Sequence, residues 1–467
     1  MASRRVSAIF ALLVAVAAFG QQRGGITFES SDERLARGFE WAKKQALAYV
    51  FTGDPVGDWY EASLPGRQAF CMRDVSHQST GAQALGLAPL TRNMLRRFAA
   101  SIAESRDWCA YWEIDKFGRP APVDYKNDKD FWFNLPANFD VLNCCYRQHL
   151  WTGDKTYIED PAFLNFYDRT VNEYVKRWDK DSDGVPESYR EYGHRGIGSY
   201  DEDLDFHVLV GSDLVASQIA AYAAYADLAA LRRKPEAAAR YRAESLRLRK
   251  WFNEAWWDAE SRSFYRAMKQ DRTFFRRPNG AIPEIWFDAV DPGLRTSSAL
   301  ARLAGENVEV RSYLPEVAYR YELRDTAYAK LMEMLDPALK RREYPEVSYA
   351  AVGAIVEGLM GVRPDARSLT VETFPRLSRE TAWAALGRLP VFTNEVDVRH
   401  TGLRMTTLAN RTGPAFLWRA AFPGRHRWLL VDGQRRPADH ARRRDGSPES
   451  SVSIRVTPGT RRRVEVP

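Results

Sequence analysis

The sequence predicts a mainly α fold in which helices follow one another in pairs, ending in a small C-terminal β-sandwich. Three observations carry this. Apolar residues recur at helical spacing from Ser31 to about Val362, the spacing turns to alternation after Gly361, and long loops rich in acids and aromatics separate the helices. In the first helix Leu35, Phe39, Ala42, Ala46 and Val50 mark one apolar stripe. Asp32 and Glu33 sit where the N-terminal end of the helix dipole favours negative charge. The same spacing predicts helices near 74–86, 90–105, 135–150, 160–178, 204–232, 234–256, 294–304, 309–322, 324–335 and 345–361. Further on, Val396 and Val398, Val452, Ile454 and Val456, and Val464 and Val466 alternate with polar residues, as strands with one buried face do. Two sheets packed together would bury those faces. The expected organisation is a signal peptide over 1–20, a helical domain over 21–364 and a sandwich over 365–467.

The signal peptide rests on Arg4 and Arg5, an apolar run from Ala8 to Phe19, and small residues before Gln21. That run is short for a membrane span, and no later stretch is expected to reach the roughly 20 apolar residues that one needs. The mature chain is therefore expected in the periplasm or outside the cell, with no stable membrane insertion. Of 467 residues, 45% are hydrophobic and 28% charged, the balance of a globular protein with a large core. The formal charge of +7 is uneven: fifteen arginines face five acids from Arg399 to Pro467, so the main body is mildly acidic. A mildly acidic body argues against a nucleic-acid partner, whose backbone needs clustered Lys and Arg. The tail, with Arg442 to Arg444 and Arg461 to Arg463, reads as a solvated surface. Cys71, Cys109, Cys144 and Cys145 contain no C-x-x-C pair, leaving one disulfide or buried thiols open.

No nucleotide loop, nucleophile elbow or zinc-protease motif occurs, and the seven histidines lack ligand spacing. Neither a metal nor a cofactor is expected. The loop Asp179-Lys180-Asp181-Ser182-Asp183-Gly184 opens like a calcium loop, but its twelfth position is Arg190 rather than an acid. An Asp- and Gly-rich turn accounts for it.

The order of motifs along residues 30 to 360 resembles the six-hairpin glycosidases, a clan that includes α-glucosidase, mannosylglycerate hydrolase, trehalase and α-L-rhamnosidase-like enzymes. Arg73-Asp74, opening the second helix with Trp59 upstream, is similar to the clan's sugar-binding Arg-Asp. Tyr125-Lys126-Asn127-Asp128-Lys129-Asp130-Phe131-Trp132-Phe133, followed by Trp151-Thr152-Gly153-Asp154, resembles its acid-aromatic stretch running into a helix that ends in T-G-D. The run from Asp179 through Gly198-Ser199-Tyr200-Asp201 resembles the arrangement whose last Asp is the general acid. Arg342-Glu343-Tyr344-Pro345-Glu346 falls in the region that supplies the general base.

The resemblance implies an (α/α)6 toroid, with Asp201 as acid and Glu343, or alternatively Glu346, as base. It places Trp59, Arg73, Asp74, His77, Asp128 and Trp132 on the substrate, an oligosaccharide or glycoside. Two departures stand out. Val75 to Thr80 contains no acid, unlike the rhamnosidase branch, and Asp201 is followed by Glu202-Asp203-Leu204 rather than N-S-P. Structural roles compete for the same residues: Asp201 would also cap a helix starting at Leu204, and Glu346 beside Pro345 makes a good helix start.

Glycosidic cleavage needs one protonated carboxyl to assist the leaving oxygen and a second carboxylate to activate water or attack carbon. In a toroid, alternate loops collect at one end, so Asp74, Asp128, Asp201 and Glu343 could face one pocket. The expected activity is inverting hydrolysis of a neutral glycosidic bond. The alternatives are a polysaccharide lyase using Tyr200 with His194 or His207, and a non-catalytic carbohydrate-binding protein.

Overall fold

The computed structural model describes residues 23–201, 208–275, 282–301 and 308–467; the expected signal peptide lies outside them. Six helices form a closed inner ring, each packed against the next: Met72–Ala84, Pro136–Thr152, Ser212–Leu231, Ile282–Trp286, Val308–Arg320 and Pro345–Gly353, the last returning to the first. An outer layer covers them. Glu33–Leu47 packs on Pro345–Gly353, Ala88–Ser101 on Met72–Ala84, Pro235–Ala255 on Ser212–Leu231, and Arg324–Leu335 on Val308–Arg320.

The two layers obey different sequence rules. Glu33–Leu47 buries only Leu35, Gly38, Phe39, Ala42 and Ala46, the stripe of a one-sided helix, and Asp32 caps it by accepting from the Arg34 and Leu35 amides. Met72–Ala84 is buried at every position, polar residues included. Its approach to Pro345–Gly353 is very close: a Cβ on Gly81 would lie 2.0 Å from the Tyr349 carbonyl oxygen. Only glycine fits there, and that contact sets the spacing of the two helices that carry Arg73, Asp74 and Glu346.

Several expectations change. The chain is 42% helical with 24% strand, so "mainly α" holds only approximately. The inner helix Ile282–Trp286 has no counterpart in the sequence reading, since five residues are too few for a helical period to show. The expected helix start at Leu204 lies outside the described residues; from Val208 the chain forms the strand Val208–Gly211 and then the helix from Ser212, where the sequence predicts one continuous helix. That helix, Ser212–Leu231, is long and apolar enough to cross a membrane, contrary to expectation, but 78% of its apolar window is buried inside the ring.

The C-terminal strands form a seven-stranded and a five-stranded sheet. Asn394–Thr401, Pro448–Val456 and Arg461–Glu465 contain the alternating valines, except Val466, which follows the last strand. The N-terminal strand Thr27–Ser30 completes the larger sheet, pairing antiparallel with Trp383–Val391. The basic tail is not simply solvated: Arg443 is buried against Glu322, Glu372 and Glu449, and Arg462 pairs with Asp432. All four cysteines are free and buried.

Candidate active site

A cavity of about 360 Å³ opens at the end of the ring where the inner helices begin. Asp74, Glu309 and Glu346 lie in the first turns of three of those helices and all line it. Helix N-termini favour negative charge, which partly offsets the crowding of three acids. Arg73 meets two of them, Glu309 at 3.0 Å and Asp74 at 3.7 Å. Its guanidinium also faces the Trp112 and Tyr200 rings at 5.9 and 5.7 Å.

Glu346 is buried, and its carboxyl titrates well above the ordinary range. Burial is the main cause; the nearby Asp74 and Glu309 add to it, and Arg73 and Arg341 oppose it without prevailing. The balance of these influences favours the protonated form of this carboxyl.

The opposite wall comes from strand pairing. Ala69–Cys71 pairs antiparallel with Glu113–Asp115, setting Cys71 opposite Glu113. There Arg67 bridges Glu113 at 2.9 Å and Asp124 at 3.1 Å. Burial pushes the Glu113 carboxyl up as well, against the pull of Arg67. Behind this wall Glu61 accepts from the Ala62 and Ser63 amides, and burial raises it to about 8. Trp132 lines the rim, held by an Nε1 hydrogen bond of 2.8 Å to Asn134 and by stacking on His194 at 5.2 Å.

Of the residues singled out from the sequence, Arg73, Asp74, Trp132 and Glu346 line this cavity together. The others lie elsewhere. Trp59 is a core residue, stacked on Phe51 with its Nε1 bonded to Asp54. His77 lies deeper in the ring, 2.7 Å from Asp140 and boxed by Tyr200, Trp286, Phe287 and Tyr313. Asp128 sits in a hairpin turn off the lining, where burial pushes it up but bonds from Ser105, Tyr125 and Arg106 hold it down at about 2. Asp201 is ion-paired with Arg266 and is not among the lining residues. Glu343 is exposed outside the cavity, its carbonyl accepting from Gln45 and Tyr49.

Two of the three residues of the lyase alternative can be placed. The Tyr200 hydroxyl donates to Asp140 at 3.2 Å, burial and Asp140 push it well above its ordinary range, and His194 is stacked under Trp132. His207 is outside the described residues. In the calcium-like loop Asp179, Asp181 and Glu187 approach one another, and Arg272 bridges Asp181 and Glu187 at 2.6 Å each.

Sequence reasoning missed Arg67, Trp112, Glu113, Asp124, Glu309 and Arg341. Only Glu309 left a signal, an acid at the start of an expected helix.

No protein-family model and no curated protein matches the sequence. Solved structures do match. A rhamnosidase of Bacillus sp. GL1 superposes with a TM-score of 0.60 at 12% identity, over 83% of this chain and 41% of that one. For an α-L-rhamnosidase of Streptomyces avermitilis complexed with L-rhamnose the values are 0.57, 14%, 95% and 42%. For a putative kojibiose phosphorylase from the human microbiome they are 0.57, 9%, 92% and 63%. The chain thus spans less than two thirds of each of these proteins. At such identities the likeness is one of architecture: the chain has the toroid fold of the six-hairpin glycosidases.

Proposed function

We propose that the chain is a glycoside hydrolase whose reaction takes place in the cavity at the open end of the ring. The observation that carries this is the convergence of Asp74, Glu309 and Glu346 on one cavity walled by Trp112 and Trp132. The chemistry needs a protonated and an ionised carboxyl side by side. Burial, with Asp74 and Glu309 adding to it, shifts Glu346 toward its protonated form, which suits it to donate to the departing sugar oxygen rather than to act as the base. Asp74 and Glu309, both on Arg73, are the carboxylates available to activate water. The aromatic walls offer flat apolar faces for a sugar ring. Inversion is the expected course, with acid and base carboxyls about 6.5 to 9.5 Å apart in the working complex. The Arg4 to Phe19 leader supports export as the setting.

The test is a screen of aryl glycosides, α-L-rhamnosides and α-D-glucosides among them, on the wild type and on Glu346→Gln, Asp201→Asn and Glu343→Gln. Glu346→Gln should lose most activity, less on substrates with good leaving groups, while the other two retain it. Proton NMR of the first-formed anomer reads the stereochemistry. Activity that vanishes in Asp201→Asn and survives in Glu346→Gln would refute the assignment.

A further inference from the structure

The guanidinia around the cavity differ in how they are paired. Arg67 faces Glu113 and Asp124, and Arg73 faces Asp74 and Glu309. Arg341 also lines the cavity, but it is exposed, and among the described residues no carboxylate lies within ion-pair distance of it. Its backbone is left-handed, φ 63°, a conformation that non-glycine residues adopt at a cost, and its guanidinium stands 5.5 Å from the Tyr344 ring. Its neighbour Lys340 is likewise exposed and without an ion-pair partner among the described residues.

Lys340 lines a second hollow of about 440 Å³, with Arg311, Lys330, Glu333 and Asp336, between the helices Val308–Arg320 and Arg324–Leu335. The two hollows are neighbours. Arg341 belongs to one and Lys340 to the other, so the peptide joining them is the ridge a ligand would cross in passing between the two.

We propose that Arg341, assisted by Lys340, recognises the carboxylate of a uronic-acid residue lying across this ridge, so that the preferred substrate is an acidic oligosaccharide extending from the cavity into the groove. The inference rests on the glycosidase reading above and names its substrate class. A planar guanidinium pairs with a carboxylate through two parallel hydrogen bonds, a geometry that an ammonium cannot copy. The mildly acidic body points toward neutral sugars. Inside the cavity acids outnumber guanidinia, so the carboxylate is assigned to the ridge at Lys340 and Arg341, and surface charges more than about 10 Å away are largely screened at 0.1 M salt.

The experiment uses the full chain and isothermal titration calorimetry with trigalacturonate and a hyaluronan tetrasaccharide, each against its carboxyl-reduced form. At least one acid form should bind about ten-fold tighter than its reduced form, as one charge-assisted contact allows. Arg341→Ala should abolish that preference, Arg341→Lys should keep part of it, and both should unfold at the wild-type temperature because the side chain is exposed. Equal binding of acid and reduced forms, a preference that survives in Arg341→Ala, or no binding of any probe would overturn the proposal. The glycosidase reading is decided separately: it stands if Glu346-dependent hydrolysis of an aryl glycoside is present, and falls if no glycoside is cleaved.

Discussion

Two buried clusters of charge, one at the cavity and one between the ring and the sandwich, are built from the same side chains and behave in opposite ways. In the second cluster acids and guanidinia alternate. Arg376 meets Glu322 at 3.0 Å, Arg443 meets Glu322, Glu372 and Glu449 at 3.2, 3.0 and 2.7 Å, and Arg419 pairs with Glu372 and Glu449. Burial pushes the Glu372 carboxyl up there, but Arg443, Arg419 and Arg363 outweigh it and hold it below the ordinary range. At the cavity, Glu346 has acids for neighbours, and burial wins. Pairing holds a buried carboxyl in its ionised form at the joint between two parts of the fold, whereas burial among acids favours the protonated form at the cavity.

The comparison breaks most visibly in activity. Glu346→Gln should lower kcat/KM by about 10² to 10⁴, the usual worth of a positioned acid, without lowering the unfolding temperature. Arg443→Met should do the reverse. It leaves Glu322, Glu372 and Glu449 short of a partner, costing about 3–5 kcal/mol in urea unfolding, while activity per folded molecule is unchanged.

Stability against pH sharpens the same contrast through its sign. The Glu346 carboxyl titrates higher when folded, so its contribution is full below the unfolded value and is lost as pH rises through the folded one. Glu372 titrates lower when folded, so its contribution is present above the unfolded value and is lost as pH falls. Chemical denaturation from pH 4 to pH 8 should therefore show Glu346→Gln gaining on the wild type as pH rises and Glu372→Gln falling behind it.

Smaller effects should follow from geometry. Gly81→Ala would press a methyl group against the Tyr349 carbonyl, costing about 1–3 kcal/mol and reducing kcat by shifting Asp74 relative to Glu346. Trp132→Ala should raise KM several-fold, matching about 1 kcal/mol for a lost aromatic contact, with kcat little changed.

The sequence carried these two regions unequally. Arg73, Asp74 and Glu346 were legible through the order of motifs that resembles the six-hairpin clan, and the alternating valines of Asn394–Thr401 marked a strand directly. What depends on distant pairing was not. Glu113 and Asp124 reach the cavity because Cys71 pairs with Glu113 across some forty residues, and no local pattern reports that register. Thr27–Ser30 enters a sheet whose other strands lie more than 350 residues away. Glu343 and Glu346 looked alike in sequence; one helical turn separates an exposed acid from a buried one, and only packing against Met72–Ala84 tells them apart.

The central claim, that burial among acids raises the Glu346 carboxyl in the cavity, is most directly tested by carbon-13 NMR of glutamate δ-carboxyls, with Glu346 identified by its absence in Glu346→Gln. The account predicts a resonance that moves to its ionised position at a higher pH than ordinary glutamates, which ionise at about 4.3. A Glu346 resonance that ionises together with the ordinary glutamates, or below them, would contradict it.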